Sequence, residues 1–135
     1  MQVSIRYTSD RFSELSRRIP GATQFLAERF AHRIARTAKD SMTGSHSGRL
    51  YVRAGKIHQA SAPGEPPAID TSNLSNSIQV ESTRTGAIVY STAEYAAYLE
   101  FGTSHMGARP FFAPAVEQEA PRFERDLAQL EREIS

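Results

Sequence analysis

Apolar residues along this chain fall either on alternation or on helical spacing, and the switches between the two divide it into elements. Gln2-Val3-Ser4-Ile5-Arg6-Tyr7 alternates polar with apolar and predicts a short half-buried strand. Thr8, Ser9 and Asp10 then offer helix caps ahead of Phe12, Leu15 and Ile19, and Pro20-Gly21 stops that short helix. Ala22, Leu26, Phe30, Ile34 and Ala38 recur every four residues, flanked by Phe25 and Ala31. This predicts a longer amphipathic helix over 22–42, ended by Gly44.

After residue 42 the periodicity lapses. Residues 43–70 hold four Gly, three Pro and a short apolar patch at Leu50, Tyr51 and Val52. Pro63, Pro66 and Pro67 lack backbone donors and push their predecessors toward extended backbone, which rules out a helix here. The patches around Tyr51 and Ile57 either pair as a small hairpin across Ala54-Gly55 or belong to a long extended loop; such loops in compact domains are functional or disordered, and the apolar Leu, Tyr, Val and Ile here disfavour a purely disordered linker. Asp70-Thr71 caps a brief helix through Leu74. Ile78-Gln79-Val80 and Ala87-Ile88-Val89-Tyr90 flank a turn at 82–86 and predict a hairpin.

Ser91-x-x-Glu94 reads as a capping box for a short helix over 95–99 that stops near Gly102. Phe112, Val116, Ala120, Phe123, Leu127, Leu130 and Ile134 are then spaced 4, 4, 3, 4, 3 and 4, the longest helical pattern in the chain. Pro121 should kink that helix or restart it. Its apolar stripe needs cover from the 22–42 helix or a neighbouring chain. The sum is one α+β domain over 1–135. It comprises a small antiparallel sheet packed against a long N-terminal helix and a C-terminal amphipathic helix, with 43–70 as an extended Gly/Pro-rich docking loop.

Composition narrows the chemistry. The 135 residues include no cysteine, so disulfides, thiol nucleophiles and thiolate zinc sites are excluded. No apolar run approaches a membrane span, and the first residues lack the apolar stretch of a signal peptide, so cytosolic synthesis is expected. GSHSG at 44–48 centres on His46 rather than serine and is not a hydrolase nucleophile elbow. His32, His46, His58 and His105 have no spacing that makes a triad or a metal site, and solvent-exposed loop histidines explain His46 and His58. No glycine-rich phosphate loop occurs. Glu94 and Glu100 are six apart and make a poor acid–base pair. We therefore expect no enzyme activity, no cofactor and no metal.

Charge is distributed unevenly. Residues 1–56 carry a net +7, whereas 57–110 and 111–135 each carry −3. Arg29, Arg33, Arg36 and Lys39 share helical spacing and are candidates for contact with DNA or an acidic partner, against the plainer reading of a solvated helix face. Glu117, Glu124, Asp126, Glu131 and Glu133 give the last helix an acidic surface. A basic front and an acidic rear can pair between copies, and such contacts close into rings when the rotation permits. Tyr95, Tyr98, Phe101, Phe111 and Phe112 crowd around GTSHMGARP. Such residue types are enriched at protein–protein contacts, and an interface role stands beside plain core packing for this cluster.

Segments 61–78 and 93–116 also carry a recognisable order of motifs. Pro63, Gly64, Pro66, Pro67, Asp70, Thr71 and Leu74 come first. Tyr95, Ala96, Glu100, Gly102 and Thr103 follow, and then Ala108, Arg109, Pro110 and Phe111. In this the chain resembles the small neck or tail-completion proteins of long-tailed, lambda-like phages and prophages; Ser72 stands where glycine is common in that family. The resemblance implies a non-enzymatic head–tail joining protein, made in the host cytoplasm and built into the virion neck as a ring of about six copies. Implied neighbours are sister copies, a head-closure (stopper) protein, and a tail terminator or tail-tube protein, with packaged DNA as a candidate contact. The alternative reading is a nucleic-acid-binding module that uses the basic N-terminal half. On the joining reading, Arg49, Tyr51 and Arg53 with Pro63, Gly64, Glu65, Pro66 and Pro67 form the docking loop. Tyr98, Glu100, Phe101, Met106, Arg109 and Phe111 form a second contact region. Arg109, held extended by Pro110, has Glu100 or a neighbour's carbonyl within reach.

Overall fold

The computed structural model describes residues 3–42, 50–53, 56–59, 63, 73–105 and 107–134, the two short stretches at 50–59 by their backbone. The fold is α+β. β1 (Val3–Ser4), α1 (Asp10–Arg18) and α2 (Pro20–Met42) lead to a separate hairpin of β2 (Leu50–Arg53) and β3 (Lys56–Gln59). Then come α3 (Asn73–Asn76), β4 (Ile78–Thr83), β5 (Gly86–Ser91), α4 (Ala96–Phe101) and α5 (Phe112–Ile134). β5 is the middle strand of a three-stranded antiparallel sheet ordered β1-β5-β4.

Local chemistry sets most boundaries. The Ser9 side chain accepts a hydrogen bond from the Phe12 amide at 3.2 Å and caps α1. Pro20-Gly21, expected to separate two helices, instead opens α2. Proline at the first helical position forfeits only an amide that had no intrahelical partner. Buried Thr23 bonds back to the Ile19 and Pro20 carbonyls at 3.2 and 3.0 Å, joining α1 to α2. The β4–β5 hairpin closes through only Arg84 and Thr85, with Thr83 opposite Gly86, so both strands run further than the apolar runs indicated. Within the 43–70 region β2 pairs with β3, Tyr51 standing opposite His58 in the register, as the hairpin reading of the patches around Tyr51 and Ile57 expects.

α2 is the shared wall of the core. It packs against α5, β5, β4 and α1, while the sheet and α5 meet mainly through it. Phe30, Ala31, Ile34, Ala35, Ala38 and Met42 are buried along it, and from α5 Phe112, Ala115, Val116, Phe123 and Leu127 are buried. The Phe30 and Phe123 rings stack at 4.4 Å between the two helices. Thus the stripe on α5 finds its cover on α2 of the same chain. The early positions of α2 depart from the expected stripe: Ala22 is exposed, and so is Phe25 at 59%.

The N-terminal strand is shorter than the alternation predicted because Tyr7 is drawn elsewhere. Its ring meets Phe30 at 5.2 Å and Phe123 at 6.0 Å, and its hydroxyl donates to Glu124 Oε1 at 2.9 Å. α5 runs unbroken through Pro121. Both Pro121 and Glu117, whose carbonyl loses its i+4 donor, are exposed, so water can satisfy that oxygen.

Replacing Pro121 with alanine restores that donor and should stabilise the fold by up to about 3 kcal/mol, measured by urea unfolding. A second expectation concerns pH. Partial burial, followed by the hydrogen bond and charge of Glu124, pushes the Tyr7 phenol from 10.0 up to about 12. The raised value means the folded chain holds this proton more tightly than the unfolded one. The associated stability is therefore complete below pH 10 and is lost as pH rises to about 12. Phenolate absorbance should record one tyrosine titrating late, and Glu124→Gln should bring it back toward 10.

Candidate interaction surface

The segment from 93 to 116 is organised around one carboxylate. α4 buries Ala96 and Glu100, one turn apart, and turns Tyr98 and Phe101 outward. Gly102 ends the helix at φ 77°, a backbone angle that side chains resist, and its amide returns to the Tyr98 carbonyl at 2.8 Å. The chain then doubles back, and the Arg109 amide donates to the Leu99 carbonyl at 2.6 Å. This brings the start of α5 over Glu100. Glu100 Oε1 accepts from the Phe111 and Phe112 amides at 3.1 and 2.9 Å, and Oε2 accepts from the Ala113 amide at 3.1 Å.

A helix start leaves its first amides without partners. In α5 proline at 114 removes one of those donors, and Glu100 takes Phe112 and Ala113 together with Phe111 just before them. A negative group there also suits the helix dipole. The carboxylate thus ties α4 to α5 from eleven to thirteen residues away. Phe111 and Phe112, at 1% and 0% exposure, lock the joint by packing with ring centroids 4.5 Å apart.

Two expected contact residues are therefore reassigned. Glu100 is 7% exposed and Phe111 is 1%; both sit in the chain's own interior, where cap and core consume them, rather than on a face open to a neighbour. Glu100 accepts from three backbone amides, and Arg109, half-buried, is anchored through its own amide on Leu99. The capping box also fails. Ser91 ends β5, its hydroxyl bonds with Ser77 Oγ at 2.7 Å and accepts from the Ala93 amide, while Tyr95 occupies the N-cap of α4 without a side-chain cap.

What remains outside is aromatic. Tyr98 is 51% and Phe101 70% exposed, as the sequence proposed, and Tyr95 joins them at 42%. Tyr95 was missing from the expected contact set, although it begins the Tyr-Ala motif. Two large rings on α4 and a third at its N-cap form the clearest exposed aromatic set among the described residues. Pro63 is exposed and lies against Gly107, where an added Cβ would come within 2.7 Å of the proline Cβ. Gly107 thus serves close approach rather than an unusual backbone angle. Of the remaining expected contacts, Tyr51 and Arg53 lie on β2, whereas Arg49, Gly64, Glu65, Pro66, Pro67 and Met106 fall outside the described residues.

The basic residues on α2 have different neighbours. Arg33 Nη1 bonds Asp126 Oδ2 of α5 at 3.0 Å, partly shielded from water. Arg29 stands 5.8 Å from the Phe25 ring centroid. Arg36 and Lys39 border a shallow groove against Ile78–Val80 of β4. The acidic rear is similarly engaged: Glu119 accepts from Thr37, Glu124 from Tyr7, and Glu131 lies 3.8 Å from Arg11. Opposite charges expected to join separate copies therefore meet in part inside one chain, because α2 and α5 pack side by side.

Glu100→Ala should destabilise the fold by about 3 kcal/mol or more, since it strands buried amides that now face a charge. Glu100→Gln keeps one acceptor oxygen and should lose less; urea unfolding of both separates cap from packing. No protein-family model, curated protein or solved structure matches the chain.

Proposed function

We propose that this chain is a structural subunit of a phage neck, joining head to tail as a ring and acting by contact rather than catalysis. The observation that carries the reading is the aromatic patch of Tyr95, Tyr98 and Phe101. It lies in the motif-bearing segment and is held rigid by Glu100. Aromatic rings fixed on a short helix lose little entropy on docking, and such anchors dominate protein–protein binding energy. The order of the Pro-Gly-x-Pro-Pro, Tyr-Ala-x-x-x-Glu-x-Gly-Thr and Ala-Arg-Pro-Phe motifs supports the same reading. Sister copies in a ring of about six are the first partners. A head-closure protein and a tail terminator or tail tube would lie above and below. The nucleic-acid alternative loses support because Arg33 is committed to Asp126.

Purified tailed particles from an induced culture should contain the chain by mass spectrometry. Tyr98→Ser with Phe101→Ser should leave thermal stability near wild type, because both rings are exposed, yet yield heads and tails that fail to join. Each anchor of this kind is worth about 2 kcal/mol or more. Absence of the chain from particles, or full infectivity of the double variant, would overturn the proposal. Salt-dependent binding to random duplex in fluorescence anisotropy, with no place in particles, would favour the nucleic-acid reading.

A further inference from the structure

Among the described residues β1 pairs with β5 at Val3↔Ser91 and Ser4↔Tyr90, after which the chain leaves the sheet. β4 covers the other side of β5 along its whole length, from Ile78↔Ser91 to Thr83↔Gly86. Backbone groups in a strand point to alternate sides, so those that Ser91 turns toward β1 recur at Val89 and Ala87. Among the described residues no strand stands opposite Ala87 on that edge.

The open edge faces a cleft. Residues 5–9 and α1 form the far wall, Gly86–Val89 the near wall, and the volume between them is about 720 Å³. Phe30, Ala31, Ile34 and Phe123, all buried in the core, make its floor. Thr8, Ser9, Ser13 and Thr85 add hydroxyls to its walls. The charged lining residues are Arg6 and Arg17, both exposed, and no carboxylate lines the cleft. Nearby Glu124 is already bonded to the Tyr7 hydroxyl, and neither arginine has a carboxylate partner among the described residues.

We propose that this cleft binds an extended acidic segment of a partner protein by adding it as a strand to the free edge of β5. The backbone of the guest pairs with Ala87. Alternate apolar side chains lie on the phenylalanine floor, and carboxylates on the guest reach Arg6 and Arg17. An open edge supplies main-chain affinity and the pockets beside it supply selectivity; the purely cationic rim selects negative charge. The site is separate from the α4 aromatics, so it stands or falls independently of the neck reading.

A short capped peptide alternating valine and glutamate tests this by amide NMR on the full chain. It should shift the Ala87 and Val89 resonances, whereas the valine–lysine version should not. N-methylation of the peptide backbone, which removes its donors, should abolish binding to the wild-type protein. Arg6→Glu with Arg17→Glu should weaken the acidic peptide about tenfold, the scale of two exposed ion pairs, and favour the lysine peptide. Lack of shifts on β5, equal binding of the lysine peptide, or undiminished binding of the N-methylated peptide would each overturn the proposal. The last comparison needs no variant and so survives any folding defect.

Discussion

A buried carboxylate is tolerable only when polar hydrogens surround it, and a helix start is tolerable in an interior only when something accepts its first amides. In this chain each problem solves the other. Glu100 sits at 7% exposure because Phe111, Phe112 and Ala113 present three amides to it, and α5 can begin against Phe111 and Phe112 because Glu100 is there. The cap also determines what α4 exposes. With Ala96 and Glu100 directed inward, helical geometry leaves Tyr98 and Phe101 no interior to enter. The aromatic patch is thus a consequence of the cap, held by a short helix that would have little stability alone.

Electrostatics follows from the packing of α2 on α5. Arg33 with Asp126, Thr37 with Glu119, and Tyr7 with Glu124 draw charge and polarity from the two ends of the sequence into the same seam. Exposed pairs such as Arg11 with Glu131 contribute little to stability. Their effect is to reduce the charge available to partners. A net +7 over the first 56 residues is therefore a poor measure of the surface potential a partner would meet. Among the cations with no carboxylate partner among the described residues are Arg6 and Arg17, which line the cleft beside the β5 edge.

Much of the architecture was legible in the sequence because it rests on local rules. Spacing gave α2 and α5, Ser9 capped α1, and alternation located the β4–β5 hairpin. The errors have physical causes too. Pro20-Gly21 signals a break in isolation, but proline also suits the first turn of a helix, and only the junction with α1 decides between them. Ser91 and Glu94 match a capping box, yet Ser91 was claimed by the sheet and by Ser77. Glu100 and Phe111 fell within a group of contact candidates because sequence proximity to exposed aromatics says nothing about which face of a short helix is buried. The cap spans eleven to thirteen residues and uses backbone amides, which carry no side-chain signature. The motif Glu-x-Gly-Thr followed by Ala-Arg-Pro-Phe was its trace: an acid, a glycine that turns the chain, and prolines framing a helix start.

The same distinction separates the two surfaces. Side chains define the α4 patch, so it could be proposed from sequence once aromatic crowding was noticed. An absence of backbone pairing among the described residues defines the β5 edge. The alternation Val3-Ser4-Ile5-Arg6-Tyr7 predicts a strand long enough to cover that edge, but Tyr7 gains more by packing on Phe30 and Phe123 and donating to Glu124. Among the described residues that diversion ends β1 at Ser4 and leaves Ala87 without a strand opposite it. Proteins usually manage such edges by shortening, charging or covering them, since unpaired strands recruit other chains. Here β4 covers one side of β5, and on the other two arginines guard an apolar floor. That arrangement discourages indiscriminate pairing, because two approaching copies would bring like charges together. It leaves access to a strand that carries the opposite charge.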